Sequence, residues 1–115
     1  MTEYKKIVEI YMEGFRRSDH EQILSCLTDD IEWEMPGGFH LFGKESFDKE
    51  IESEAFIGSP EISVSRLIEE GNVVVAEGKV TAKKRDGGIL KAVFCDVFEM
   101  EDNKIKRLTS YLNQI

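Results

Sequence analysis

Three side chains in this sequence could move protons beside an organic substrate: Asp96, Tyr11 and His40. Asp96 lies within Val93-Phe94-Cys95-Asp96-Val97-Phe98. Read as a strand, this stretch points Phe94, Asp96, Phe98 and Met100 one way and Val93, Cys95 and Val97 the other. Both sides are apolar, so the strand is expected to be covered on both faces with Asp96 inside. A buried carboxylate without a partner is costly, so the group must be paired, protonated or facing a cavity. Desolvation beside Phe94, Phe98 and Trp33 would raise its pKa toward values that serve acid–base catalysis. The bland alternatives are a buried acid bonded to Tyr11 and an ion pair with Lys79 or Lys91. Tyr11 is either a hydrogen-bond donor to a pocket or a core tyrosine with a satisfied hydroxyl. His40, in Gly37-Gly38-Phe39-His40, could carry protons near neutral pH at a pocket mouth; the alternative is a solvated loop histidine.

These groups need elements to hold them. Tyr4, Ile7, Val8, Tyr11 and Phe15 recur at spacings of three and four, which predicts an amphipathic helix from about Thr2 to Arg17 with Tyr11 central in its inward stripe. Ser18-Asp19-His20-Glu21 has the form of a capping box with Ser18 as the cap, opening a short helix that carries Ile23, Leu24 and Leu27 and exposes His20. Asp29-Asp30 is expected to end that helix. Ile31 to Met35 alternates as a half-buried strand, with Trp33 and Met35 on its apolar face as pocket wall or core. Pro36-Gly37-Gly38 breaks the strand, and Phe39 to Phe42 reads as a loop. A third helix follows Gly43 with Phe47, Ile51 and Ala55 at spacing four, stopped by Gly58-Ser59-Pro60. Four strands then alternate with turns: Glu61 to Glu69, Val73 to Lys84, Ile89 to Met100 and Lys104 to Leu112. The expected fold class is α+β in the order α-α-β-α-β-β-β-β, a single domain over residues 1–115 with helices gathered on one face of a curved antiparallel sheet.

Composition removes several functional classes. The 23 acidic and 15 basic residues give a net charge of -8, which repels phosphate backbones and anionic membranes, so neither nucleic acid nor membrane is an expected partner. No apolar run approaches the ~20 residues that span a bilayer, and the charged amphipathic N-terminus reads as cytoplasmic. Cys26 and Cys95 look like small core hydrophobes. Two histidines and scattered carboxylates lack metal-ligand spacing, so no metal is expected. Gly37-Gly38 and Gly87-Gly88 lack the strand-to-helix setting of a dinucleotide loop, and no cofactor is expected.

Ile7-Val8 with Tyr11, the run Leu27 to Trp33, Met35-Pro36-Gly37, Gly43-Lys44-Glu45, Asp96-Val97-Phe98, Asn103-Lys104-Ile105 and Tyr111 come in an order and spacing with a familiar counterpart. Together they resemble the nuclear-transport-factor-2-like superfamily, and within it the SnoaL-like polyketide cyclases and the ketosteroid isomerases, over almost the whole chain. The resemblance implies a cone-shaped sheet wrapped around the helices and an apolar pocket. It also implies a homodimer through the outer sheet face, where Val93, Cys95 and Val97 lie. In ketosteroid isomerases a helical tyrosine and a protonated strand aspartate donate hydrogen bonds to an enolate, and Tyr11 and Asp96 fall at those places. The isomerases' general base, a carboxylate just before a proline, is replaced here by Met35 before Pro36. In the SnoaL-like cyclases a strand carboxylate at a place resembling Asp96 abstracts the proton. Limonene-epoxide hydrolases use an Arg-x-Asp pair where this chain has Glu77-Gly78-Lys79.

The expectation is a small-molecule-binding SnoaL-like protein, an isomerase or cyclase that moves protons on an apolar, carbonyl-bearing substrate. Asp96 would be acid or base, Tyr11 oxyanion donor and His40 an auxiliary proton carrier, with Trp33, Met35, Phe94 and Phe98 as pocket wall. A non-catalytic ligand-binding module and a protein-interaction domain of the same fold are the alternatives.

Overall fold

A computed structural model describes all 115 residues. Helix α1 spans Glu3–Arg16, capped by the Thr2 side chain, which accepts from the Lys5 amide; Val8, Tyr11 and Met12 are buried on its inner face. Helix α2, His20–Ser25, is capped one residue later than the motif suggests, because Ser18 takes a positive φ of 52° in the turn between the helices. The Asp19 carboxylate accepts from the Gln22 amide at 3.0 Å and so does the capping.

Strand β1, Leu27–Met35, starts where α2 stops, so Leu27 and Asp29-Asp30 belong to it rather than to a helix and its end. The two exposed aspartates fall where the pairing with the last strand is irregular, between Leu27 and Glu32. Phe39–Phe42, expected as a loop, forms strand β2 and folds back on β1 with Trp33 opposite Leu41 and Met35 opposite Phe39. Four alternating residues give too short a period to separate a strand from a loop in sequence alone. Helix α3, Lys44–Ile51, buries Phe47 and ends before Ala55. Strand β3, Phe56–Glu70, then runs straight through Gly58-Ser59-Pro60. Proline is accommodated because β3 is an edge strand and its pairing with the next strand lapses between Ile57 and Glu61. Strands β4 (Val73–Lys84), β5 (Ile89–Glu101) and β6 (Lys104–Gln114) complete the meander.

The six strands form one curved, unclosed sheet in the order β2-β1-β6-β5-β4-β3. All neighbours are antiparallel except β1 and β6, which run parallel with Trp33 opposite Leu108. The sheet is therefore not wholly antiparallel, as the sequence had suggested. The cause is long-range: β1 and β6 meet only when the meander returns to the first strand. Val8, Tyr11 and Met12 of α1 and Phe47 of α3 pack against Ile31, Trp33, Val74, Phe98 and Leu108 on the inner sheet face in one apolar core.

Gly78 lets β3 close over the centre of β4. A β-carbon there would lie 2.1 Å from the Ser63 carbonyl oxygen and 2.9 Å from the Phe94 ring. The register of β3 slips by one residue at the same level, between Val64 and Arg66, marking a bulge. Since backbone cannot step aside as a side-chain tip can, Gly78→Ala is expected to cost about 3 kcal/mol or more. Urea unfolding of the two proteins measures it.

Candidate functional site

Alternation along β5 puts Ala92, Phe94, Asp96, Phe98 and Met100 on the inner face, and Asp96 falls midway between Ala76 of β4 and Ser110 of β6. Ala76, on the neighbouring strand, is fully buried. Asp96, Tyr11, Ser110, Phe94, Trp33 and Met35 line a narrow recess of about 120 Å³. Trp33, Met35, Phe15 and Ile62 also line a larger cavity of about 770 Å³ with Phe39, Ile51, Phe56 and Leu90. The two spaces share these walls, so the polar groups sit in a recess adjoining a mainly apolar cleft.

Burial pushes the Asp96 pKa up to about 7, while the Ser110 hydroxyl across the strand pair acts in the opposite direction. No cation bears on it, which disposes of the ion pair with Lys79 or Lys91. Lys79 stands opposite Val93, on the outer face. Near neutral pH the Asp96 carboxyl is thus able both to take and to give a proton. Tyr11 is 2 % exposed, and burial, with a further contribution from the Asp96 charge, raises its pKa well above 10, so it remains a phenol and a donor. Trp33 is held by stacking on Phe47 at 4.4 Å and by the edge of Phe39 at 4.9 Å. Its indole N–H donates to the Ser110 hydroxyl oxygen at 3.0 Å.

The structure thus brings Asp96, Tyr11, Trp33, Met35 and Phe94 to one recess and leaves two candidates outside it. Phe98 is fully buried beneath Tyr11, with ring centroids 5.4 Å apart, and supports that side chain from the core without lining the recess. His40 is on the other side of the sheet. Alternation in β2 turns Phe39 and Leu41 inward and His40 outward, where its Nε2 lies 2.6 Å from Glu32 Oε2 and its ring rests on Phe42. It does not reach the cavity. Ser110, absent from the sequence reading, is buried and central; its one sequence signal is a hydroxyl two residues after the inward-facing Leu108 in β6.

His20, expected to be exposed, is only partly so and ties α2 to α3. Its Nδ1 lies 2.6 Å from Asp48 Oδ1 and its Nε2 2.8 Å from Glu52 Oε2, and these two carboxylates raise its pKa. A raised histidine contributes stability in full below its unfolded value near 6.5 and loses it as pH climbs through the folded value. His20→Ala should therefore destabilise at pH 6 by no more than about 1 kcal/mol after solvent screening, with the difference gone by pH 9. Thermal unfolding at both pH values tests this.

The profile of the SnoaL-like domain family matches residues 8–108, which include α1 from Val8 onward with Tyr11, the first strand, β5 with Asp96 and β6 as far as Leu108. The chain belongs to the SnoaL-like domain family. Solved structures share its fold at low identity. A nuclear-transport-factor-2-like protein of unknown function from Burkholderia pseudomallei superposes with a TM-score of 0.89 at 19 % identity, over 98 % of this chain and 92 % of that one. An LEH-like epoxide hydrolase from M. tuberculosis gives 0.85 at 20 % identity, over 96 % and 83 %. TerC, co-crystallised with polyporic acid, gives 0.87 at 22 % identity, over 97 % and 92 %. No curated protein matches the sequence. In this SnoaL-like chain Glu77 faces outward to Arg66 at 2.8 Å and Gly78 occupies the inward position, so the Glu77-Gly78-Lys79 stretch sends neither of its charges into the cleft. No cluster of three or more His, Cys, Asp or Glu side chains is placed to hold a metal, and no helix is long and apolar enough to cross a membrane.

Proposed function

We propose that this SnoaL-like protein binds a mainly apolar, carbonyl-bearing small molecule in its cleft and moves a proton on the carbon next to the carbonyl, as an isomerase or cyclase does. The observation that carries the reading is Asp96, whose pKa of about 7 puts it between acid and base in a recess of an apolar cleft, beside a phenol that stays protonated. The Asp96 carboxylate removes a proton from the α-carbon, and the C–H electron pair moves into the new enolate. Tyr11 O–H donates a hydrogen bond to the oxygen on which charge develops. The same carboxyl, now protonated, returns the proton to carbon. With Met35 in the place of the isomerases' base, one group does both transfers. The co-crystallisation of TerC, of the same fold, with polyporic acid supports the reading of the cleft as a small-molecule site.

A second copy of the chain is the proposed partner, across the outer face of β5. Val93, Cys95 and Val97 are only half-buried there, and Tyr111 opposite Cys95 is 52 % exposed. Sedimentation at micromolar concentration should give a dimer, and a monomer would refute this pairing.

The test of the function is deuterium uptake by a fused-ring ketone with acidic α-hydrogens, β-tetralone, in D₂O, followed by proton NMR. Exchange catalysed by the protein should rise with pH and level off above about 7, as Asp96 becomes the free base. Saturable binding without any exchange across a panel of such ketones would reduce the protein to a binding module.

A further inference from the structure

The proton-transfer reading makes Asp96 the reacting group but leaves open what aims it. In the pairing of β5 with β6, Asp96 and Ser110 stand directly opposite one another on the inner face, the closest cross-strand relation a sheet offers. Ser110 is 6 % exposed and is the only polar residue among the fully buried ones besides the aromatic Tyr11 and Trp33 and the thiol Cys26. Its hydroxyl oxygen is engaged by the Trp33 indole N–H at 3.0 Å. A hydroxyl that accepts on its oxygen has its own hydrogen left to donate, and the residue directly across the strand pair, Asp96, carries a carboxyl that can accept it. Accepting from Trp33 also polarises the O–H and strengthens what it donates.

We propose that Ser110, fixed by Trp33, is a positioning residue that orients the Asp96 carboxylate and favours its charged form, leaving the second carboxylate oxygen to meet the substrate. The arrangement resting on Trp33 reaches further. Trp33 is clamped by Phe47 of α3 and Phe39 of β2, and it lines both parts of the cleft. A ligand that presses on the indole therefore presses on the donor that holds Ser110, which couples occupancy of the cleft to the readiness of its base. This inference rests on the proton-transfer reading for its purpose, but not for its test.

The experiment is a ¹³C NMR titration of the Asp96 carboxyl in ligand-free protein carrying ¹³C-labelled aspartate, with Asp96→Asn assigning the resonance. Ser110→Ala should move the midpoint upward by at least about half a unit, a threefold loss of acidity, because burial is then unopposed. Ser110→Thr restores the hydroxyl and should return the midpoint to within a few tenths of wild type. Trp33→Phe keeps a flat ring, removes the indole donor and should give a smaller upward shift, so the inference stays testable should Ser110→Ala fold poorly. A midpoint unmoved by Ser110→Ala, or moved equally by Ser110→Thr, would overturn it. The titration needs no turnover, so absence of deuterium exchange sinks the catalytic reading alone, while an unchanged midpoint sinks only the role of Ser110.

Discussion

Asp96→Asn should lower protein-catalysed deuterium exchange into β-tetralone by about 10²–10⁴-fold, the range typical of removing a general acid or base. The amide has nearly the shape of the carboxyl and keeps an acceptor oxygen facing the strand that carries Ser110, so the recess keeps its form. What goes is the one group in it that titrates near neutrality. Tyr11 cannot replace it, since its pKa is raised by burial and a phenol held in that state donates without removing protons. Ketone affinity should change by less than a few-fold, because the walls supplied by Trp33, Met35 and Phe94 are untouched. Isothermal titration beside the exchange assay separates the two effects. Exchange retained within tenfold of wild type would show that another group is the base.

The same substitution should stabilise the protein above neutral pH. Burial raises the folded-state pKa of Asp96 to about 7, against an unfolded value near 3.9. Between those values the folded protein keeps a proton that the unfolded chain has released. The wild type is thus free of this penalty below pH ~4, loses stability as pH rises toward about 7, and stays at the lower level beyond it. The full gap corresponds to on the order of 4 kcal/mol. Asparagine does not titrate, so its advantage over aspartate should widen by roughly 2–3 kcal/mol from pH 5 to pH 8. Chemical unfolding of both proteins at the two pH values gives this difference directly, and any constant cost of the amide cancels from it. A gap that stays level or narrows with pH would mean that Asp96 is favourably ionised in the folded state.

Much of the frame was legible in the sequence because its signals are local and periodic. The stripe from Tyr4 to Phe15 marked α1, and turn residues bounded β4, β5 and β6 to within two residues of where they lie. Alternation around Asp96 was enough to turn it inward with Phe94 and Phe98, since side chains on a strand have only two faces to choose between. Local signals were weaker where the chain changes from one element to the next. Ser18 and Asp19 are both good caps, and only the path of the turn decides which reaches the helix.

The site divides in the same way. Residue type and period determined that Asp96 and Tyr11 each face inward, and that Trp33 and Met35 share an apolar face. Tertiary structure alone decided that they meet, because the β1–β6 and β5–β6 pairings join segments about 75 residues apart in the first case and a single turn apart in the second. Those pairings bring Ser110 between Trp33 and Asp96, a relation no local pattern encodes. They also send His40 to the outside: its loop, once paired to β1 as a strand, had to alternate, and Phe39 and Leu41 took the inner positions because burying them releases more free energy than burying an imidazole.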